Sequence, residues 1–362
     1  MKKNYFLRSF ILCCLLFPAG VSLSQTFTFT NCTATGQNGP STPQVDAEYL
    51  ATSLDGDVTQ VGGIQYWTVP ANGDYSIEVF GAEGGDVGGL GAKMYGEFYL
   101  TAGQQLQVLV GQMGGTVDNI HGSGGGGSFV VLTTGVTPLI IAGGGGGHGA
   151  TAPGIDATTA GSILTSGQTP PGGGPGGING GGGAAASGIT GGTATTPGAD
   201  SGGTVWASGG GGFLTNGGGC NNGTTPGGRA FMIGGQGGDA ASGANTPGGF
   251  GGGGGAGDRG AGGGGYSGGG AGTNNQDGGG GGGSYNSGIN QNNVNGVQSG
   301  HGSVVITLLC TPLNSFVSGT DLCEGDMVTL SAVSTGSGIV SWDNGVVDNV
   351  PFSQAVGTVS YT

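Results

Sequence analysis

The run Pro138-Leu139-Ile140-Ile141-Ala142-Gly143-Gly144-Gly145-Gly146-Gly147 breaks from a short apolar segment straight into glycine. Five apolar-rich residues bounded by Gly and Pro fit a buried strand and are too short for a helix. Similar segments lie on either side. Tyr75-Ser76-Ile77-Glu78-Val79 and Leu106-Gln107-Val108 alternate apolar and polar, as a half-buried strand does. Ser128-Phe129-Val130-Val131-Leu132 and Ser303-Val304-Val305-Ile306-Thr307-Leu308 are further strand-like runs. None of these segments carries a 3.6-residue period. Between them, residues 143–283 contain 62 glycines in 141 positions, out of 96 in the whole 362-residue chain. The pattern predicts an all-β module over 25–309, interrupted by a glycine-rich block at about 143–283 and closed by a final strand.

Two physical states suit such a block. A flexible linker is one, because glycine loses the most backbone entropy on ordering. The other is a packed array of polyproline-II-like glycine helices. These have three residues per turn and no internal hydrogen bonds, so their N–H and C=O groups bond to neighbouring helices. Only glycine lacks the Cβ that would hold the backbones apart. Runs at 143–147, 180–183, 209–212, 251–255, 262–265 and 278–283 suit the second state. So do Trp206, Phe213, Phe231, Phe250 and Tyr266, which a linker would hardly need.

Further segments carry a resemblance. In chain order they are Asn31-Cys32-Thr33-Ala34-Thr35-Gly36-Gln37-Asn38-Gly39-Pro40, Gln65-Tyr66-Trp67-Thr68-Val69-Pro70-Ala71-Asn72-Gly73-Asp74-Tyr75, Val79-Phe80-Gly81-Ala82-Glu83-Gly84-Gly85 and Leu109-Val110-Gly111-Gln112-Met113-Gly114. The 138–146 run and His301-Gly302-Ser303-Val304 complete the set. Over about 27–309 the chain resembles the glycine-rich extracellular domain of the anaplastic lymphoma kinase and leukocyte tyrosine kinase receptors. The resemblance implies a tumour-necrosis-factor-like (TNF-like) jelly-roll sandwich with an inserted polyglycine-II helix bundle, and a domain that binds a protein ligand. It departs from the receptor pattern at Val45, near the place of a second cysteine, and the chain shows no HRD, DFG or VAIK kinase motif. Kinase activity is therefore not expected.

The tail, 310–362, is similar to the Ig-like or PKD-like repeats of secreted bacterial surface proteins, through Leu322-Cys323-Glu324-Gly325-Asp326 and Trp342-Asp343-Asn344-Gly345. An Ig-type sandwich takes about 100 residues. A truncated repeat, and a chain that is a fragment of a longer protein, are therefore expected.

Residues 1–24 read as a signal peptide: Lys2 and Lys3, an apolar stretch at 10–17, then Ser22-Leu23-Ser24 before a cleavage point at Gln25. The apolar stretch is too short to span a bilayer, and no later segment is long enough. A secreted, cell-surface location is expected. After the leader the only cations are Lys93, Arg229 and Arg259, against 20 Asp and Glu, so the net charge is 3 − 20 = −17. Phosphate neutralisation needs clustered Lys and Arg, which excludes nucleic acid as a partner. Cys32, Cys220, Cys310 and Cys323 have no zinc-ligand spacing. Export permits disulfides, whose connectivity spacing does not fix. Cys32 and Cys310, flanking the first and last strand-like segments of one domain, are the preferred pair.

Site chemistry is sparse. Gly265-Tyr266-Ser267-Gly268-Gly269 matches a nucleophile-elbow pattern, but in a glycine-saturated block that match is a chance event. Only His121, His148 and His301 are available as imidazole bases, His148 and His301 are expected to be structural, and no catalytic residue and no cofactor is expected. Gly234-Gly235-Gln236-Gly237-Gly238-Asp239 begins like a calcium-binding nonapeptide but lacks tandem copies and a large apolar residue. Calcium is the one cofactor this leaves open. Asp55, Asp57, Asp86 and Asp118 are expected to be solvated, and the sequons at Asn31 and Asn222 to be idle. The expected role is an exported, non-enzymatic binding or adhesion module for a protein or glycan. The alternatives are a structural spacer or self-assembling matrix protein and, behind it, a hydrolase using Ser267.

Overall fold

A computed structural model describes residues 25–116, 121–149, 159–188, 190–203, 206–240, 246–273 and 277–309, and short stretches at 314–317, 327–328, 330–333, 347–348 and 350–353. The leader, Asp118, Cys310 and Cys323 lie outside the described residues. Gln25–Leu309 forms one compact unit, and the tail falls in a second.

The first unit is mostly β-sheet. One antiparallel sheet has the order β1 (Thr26–Phe29), β11 (Ser303–Leu308), β4 (Gly73–Phe80), β5 (Gly91–Leu100), β10 (Val294–Gln298). The other has the order β2 (Val58–Val61), β3 (Ile64–Thr68), β6 (Gln105–Leu109), β7 (Ser128–Leu132), β8 (Thr137–Ala142), β9 (Tyr285–Asn286). Alternation in β4 turns Tyr75, Ile77 and Val79 inward and Ser76, Glu78 and Phe80 outward. The two sheets face each other over a core that includes Phe27, Phe29, Trp67, Tyr75, Ile77, Met94, Leu106, Val130 and Ile306.

The strand-like runs read from sequence form β4, β6, β7, β8 and β11. One helix was not legible in the periodicity: α1, Thr42–Glu48. It is held by local signals, with Pro43 in its first turn and the Ser41 N–H and Oγ–H both donating to Gln44 Oε1, at 3.0 and 2.8 Å. It buries Val45 in the cluster that also holds Cys32. Cys32 and Cys220 are buried thiols in this structure. The partner expected for Cys32, Cys310, is outside the described residues.

β7 and β8 carry unbroken apolar runs, Phe129–Leu132 and Leu139–Ala142, because both faces are covered there. Val130 and Ile140 point into the sandwich core, whereas Phe129, Val131 and Ile141 pack on the opposite face against Phe213, Phe231 and Phe250 of the glycine-rich block. A row of stacked rings joins the two layers. It runs from Phe129 to Phe231 (centroids 5.1 Å apart), Phe213 (5.3 Å), Tyr266 (6.3 Å) and Tyr285 (4.9 Å). The row starts on β7 and returns to the same sheet at β9, so the block is pinned at both ends.

Within the block, backbone groups bond between runs. Gly144 donates to Gly264 (2.8 Å), Gly282 to Gly144 (2.8 Å), Gly263 to Gly280 (2.9 Å), Gly210 to Gly269 (2.9 Å) and Gly183 to Gly210 (2.8 Å). The network also takes in glycines before residue 143: Gly125 donates to Gly145 (2.8 Å) and Gly85 to Ser123 (2.8 Å). Contacts are backbone to backbone, so a Cβ on Gly81, Gly126 or Gly270 would overlap the carbonyl of Gly143, Phe250 or Gly174 respectively. Burying this much peptide is tolerable because its polar groups are paired. The block is therefore an ordered layer and not a linker.

In the tail, β12 (Asn314–Val317) pairs antiparallel with β14 (Leu330–Val333), and β13 (Met327–Val328) with β15 (Phe352–Ser353).

Candidate functional site

Of the two outward sheet faces, that of the six-stranded sheet packs under the glycine-rich block through Phe129, Val131 and Ile141. The outward face of the five-stranded sheet carries polar and aromatic side chains in register. One row across it is Ser303, Phe80, Lys93 and Val294. The next is Thr28, Val305, Glu78 and Tyr95, followed by Thr26, Thr307, Ser76 and Glu97. Asp74 and Tyr99 close it, with Tyr99 62% exposed.

Short-range electrostatics order this face. Lys93 Nζ lies 2.5 Å from Glu78 Oε1 and 5.8 Å from the Phe80 ring centroid. Tyr95 donates its hydroxyl to Glu97 Oε1 (3.1 Å), and Asn290 Nδ2 donates to Glu97 Oε2 (2.7 Å). Burial, then the hydrogen bond to Glu97 and its charge, raise the Tyr95 phenol above its ordinary range, so it stays a donor at neutral pH. A strap of amide side chains over 286–293 lines the β5 side. Asn286 Nδ2 donates to the Tyr95 carbonyl (2.8 Å), and the Tyr95 N–H donates to Asn293 Oδ1 (3.2 Å). With strands about 4.8 Å apart and same-face residues about 6.8 Å apart, the face covers roughly 20 by 20 Å.

The residues singled out in the sequence are dispersed. Ser267 is fully buried, and its Oγ accepts the Gly180 N–H at 3.1 Å, so it fills space between glycine runs and is no exposed nucleophile elbow. His148 Nδ1 lies 3.5 Å from Asp86 Oδ2, and Asp86 is only 12% exposed. Asp86 is thus not the solvated residue expected; it sits in a left-handed pair with Val87 (φ 53° and 48°), against the glycine-rich layer. Asp55 Oδ2 accepts the Ala51 N–H. Asn31 donates to the Ala34 carbonyl, and Asn222 Oδ1 accepts the Gly203 N–H. No group of three His, Cys, Asp or Glu arranged for a metal occurs among the described residues. Burial pushes the Cys220 thiol up to about 11, which makes it unreactive at neutral pH.

His301 accepts the Met113 N–H at Nδ1 (3.1 Å), and burial lowers its pKa. An unfolded chain takes up that proton near pH 6.5 and the native ring only at lower pH. Its contribution to stability is thus complete above about pH 6.5 and is lost as the pH falls toward the folded value. The expected result is a smaller drop in Tm between about pH 7.5 and 5.5 for His301→Asn than for the wild type. Parallel pH profiles for the two proteins would exclude this role.

Sequence reading missed Tyr95, Glu97 and Tyr99. The signal was the alternation in Lys93-Met94-Tyr95-Gly96-Glu97, which Gly96 and the adjacent Phe98-Tyr99 pair obscure.

No family model matches the chain. A stretch of 95 residues is 35% identical to the mouse (Mus musculus) leukocyte tyrosine kinase receptor and covers 24% of this chain. The chain spans 11% of the receptor's length. Similarity to a receptor over this stretch, together with the two antiparallel sheets, is compatible with a non-catalytic cell-surface module. No described helix is long and apolar enough to cross a membrane.

Proposed function

We propose that the chain is an exported, non-enzymatic surface protein whose 25–309 unit binds a protein ligand through the outward face of the five-stranded sheet. The observation that carries this reading is the asymmetry of the sandwich. One sheet is covered by the glycine-rich layer, while the other presents Tyr95, Tyr99, Glu97, Glu78 and Lys93 outward. In this reading the two sheets form a TNF-like jelly roll. The glycine runs are polyglycine-II helices, supported by bonding between runs and by contacts that exclude a Cβ. The tail is an Ig-like or PKD-like stalk repeat. The face offers about half of the ~800 Å² that a partner in a standard interface buries, so the ligand also contacts the 286–293 strap.

Aromatic side chains at the centre of an interface are worth about 2 kcal/mol or more each, roughly thirtyfold in affinity. Proteins captured from an array of secreted proteins by the full chain are therefore expected to be lost with Tyr95→Ala/Tyr99→Ala. Tyr99→Ala alone should weaken capture with Tm unchanged, because Tyr99 is exposed, whereas the loss of Tyr95 also removes its bond to Glu97. Capture undiminished in that double variant would sink the assignment of this face. Light scattering that showed self-association without any captured partner would favour the structural spacer instead.

A further inference from the structure

A cleft lies where the loop after β1 meets the 229–239 turn. Gln37, Asn38, Arg229, Ile233, Gln236 and Asp239 line a cleft of about 220 Å³. That is below the roughly 300–1,000 Å³ of sites for drug-sized ligands, so the cleft suits one small polar unit. Its walls are fixed by main-chain bonds: Gly237 donates to the Gln37 carbonyl (2.9 Å), Arg229 to Gln236 (2.9 Å) and Asp239 to Pro226 (3.0 Å). Gln112 Nε2 donates to the Asn38 carbonyl (3.1 Å), and Phe231 anchors the turn in the ring stack. The turn reverses through Gly234 and Gly235, both left-handed (φ 112° and 65°).

The side chains on these fixed walls are half-buried or exposed, and among the described residues they make no bond within the protein. Among the described residues, those of Gln37, Asn38, Arg229, Gln236 and Asp239 have no hydrogen-bond or ion-pair partner, whereas Lys93 and Arg259 are paired with Glu78 and Asp258. Arg229 and Asp239 therefore share a cleft without meeting, with three primary amides around them and Ile233, 56% exposed, as an apolar wall.

We infer that this cleft binds a neutral saccharide unit. Arg offers only donors, a carboxylate only acceptors, and a primary amide both. A hydroxyl donates and accepts, so a ring of neighbouring hydroxyls satisfies all five side chains at once, and the C–H face of the sugar packs on Ile233. A purely anionic ligand would face Asp239, and a purely cationic one Arg229. Because the backbone walls are already held by main-chain bonds, binding has to order only the side chains, at about 0.5–1.5 kcal/mol each.

The test is a glycan array of immobilised neutral hexose and N-acetylhexosamine oligosaccharides, probed with the full chain. Retention of at least one saccharide is expected. Arg229→Ala and Asp239→Ala should each weaken it tenfold or more, and Tyr95→Ala/Tyr99→Ala should leave it unchanged. The Arg229 and Asp239 side chains hold no structural partner, so both variants should melt with the wild type; Gln37→Ala is the third arm if either does not. An array with no retained saccharide, or binding that survives both charge removals, overturns the inference. So does binding of free α-amino acids, zwitterions that match the two charges, in place of any sugar.

Discussion

Gly145→Ala is expected to cost about 4 kcal/mol, a large share of an ordinary stability of about 5–15 kcal/mol. Gly145 donates to the Ala82 carbonyl (2.8 Å) and accepts from Gly125 (2.8 Å). A Cβ there would fall on the Gly89 carbonyl, which is backbone and has no rotamer to yield. Relief means pushing two runs apart. That adds an overpacking term of about 1–3 kcal/mol to the loss of buried peptide bonds, about 1–3 kcal/mol for each group left without a partner. The contrast is Gly202→Ala. Nothing lies within 4 Å of a Cβ at Gly202, and its φ is not left-handed. Reduced entropy of the unfolded chain should make that substitution neutral or stabilising by up to about 1 kcal/mol. Urea melts of both variants decide the matter: a Gly145→Ala midpoint equal to that of Gly202→Ala would mean that the glycine-rich layer does not need its missing side chains.

This contrast marks what a glycine count can and cannot say. The clustering of glycine between strand-like runs, with Phe213, Phe231, Phe250 and Tyr266 inside it, favours an ordered block, and the ring stack gives those aromatics their place. The count does not say which glycines are compulsory. Gly145 lies in the 143–147 run and Gly202 in a Gly-Gly pair, but it is the approach of Gly89, far away in the chain, that makes Gly145 compulsory. The same holds for the extent of the layer. Gly85 and Gly125 lie outside the dense block yet bond into it, because packing recruits any backbone that lacks a Cβ at the right height.

Period-2 alternation made β4 and β6 legible, and short apolar runs made β7, β8 and β11 legible. It could not reveal α1, where capping by Ser41, Pro43 and Gln44 does the work of periodicity in seven residues. Site residues were harder still. Tyr95 and Glu97 acquire meaning from cross-strand neighbours Glu78 and Ser76. Arg229 stood out as one of three cations after the leader, but its lack of an ionic partner is a property of the fold.

Phe231→Ala should separate the two layers of the molecule. The ring is 3% exposed and stacks on Phe129 and Phe213, and its truncation should cost about 3–5 kcal/mol. That loss falls on the cluster joining the six-stranded sheet to the glycine-rich layer, which is distinct from the core between the sheets. Trp67, 1% exposed, lies in the inter-sheet core. Among the described residues the glycine runs make no large apolar cluster of their own beyond small alanines such as Ala186, Ala207 and Ala256, so their order depends on that anchoring. Sub-global opening draws on the weakest cooperative unit first. Hydrogen exchange of the variant should therefore show lost protection in peptides from 208–219 and 262–283. Peptides from β4 and β11 should stay protected. Uniform loss across both layers would show instead that sandwich and glycine layer fold as one cooperative unit, with the ring stack as part of a single core.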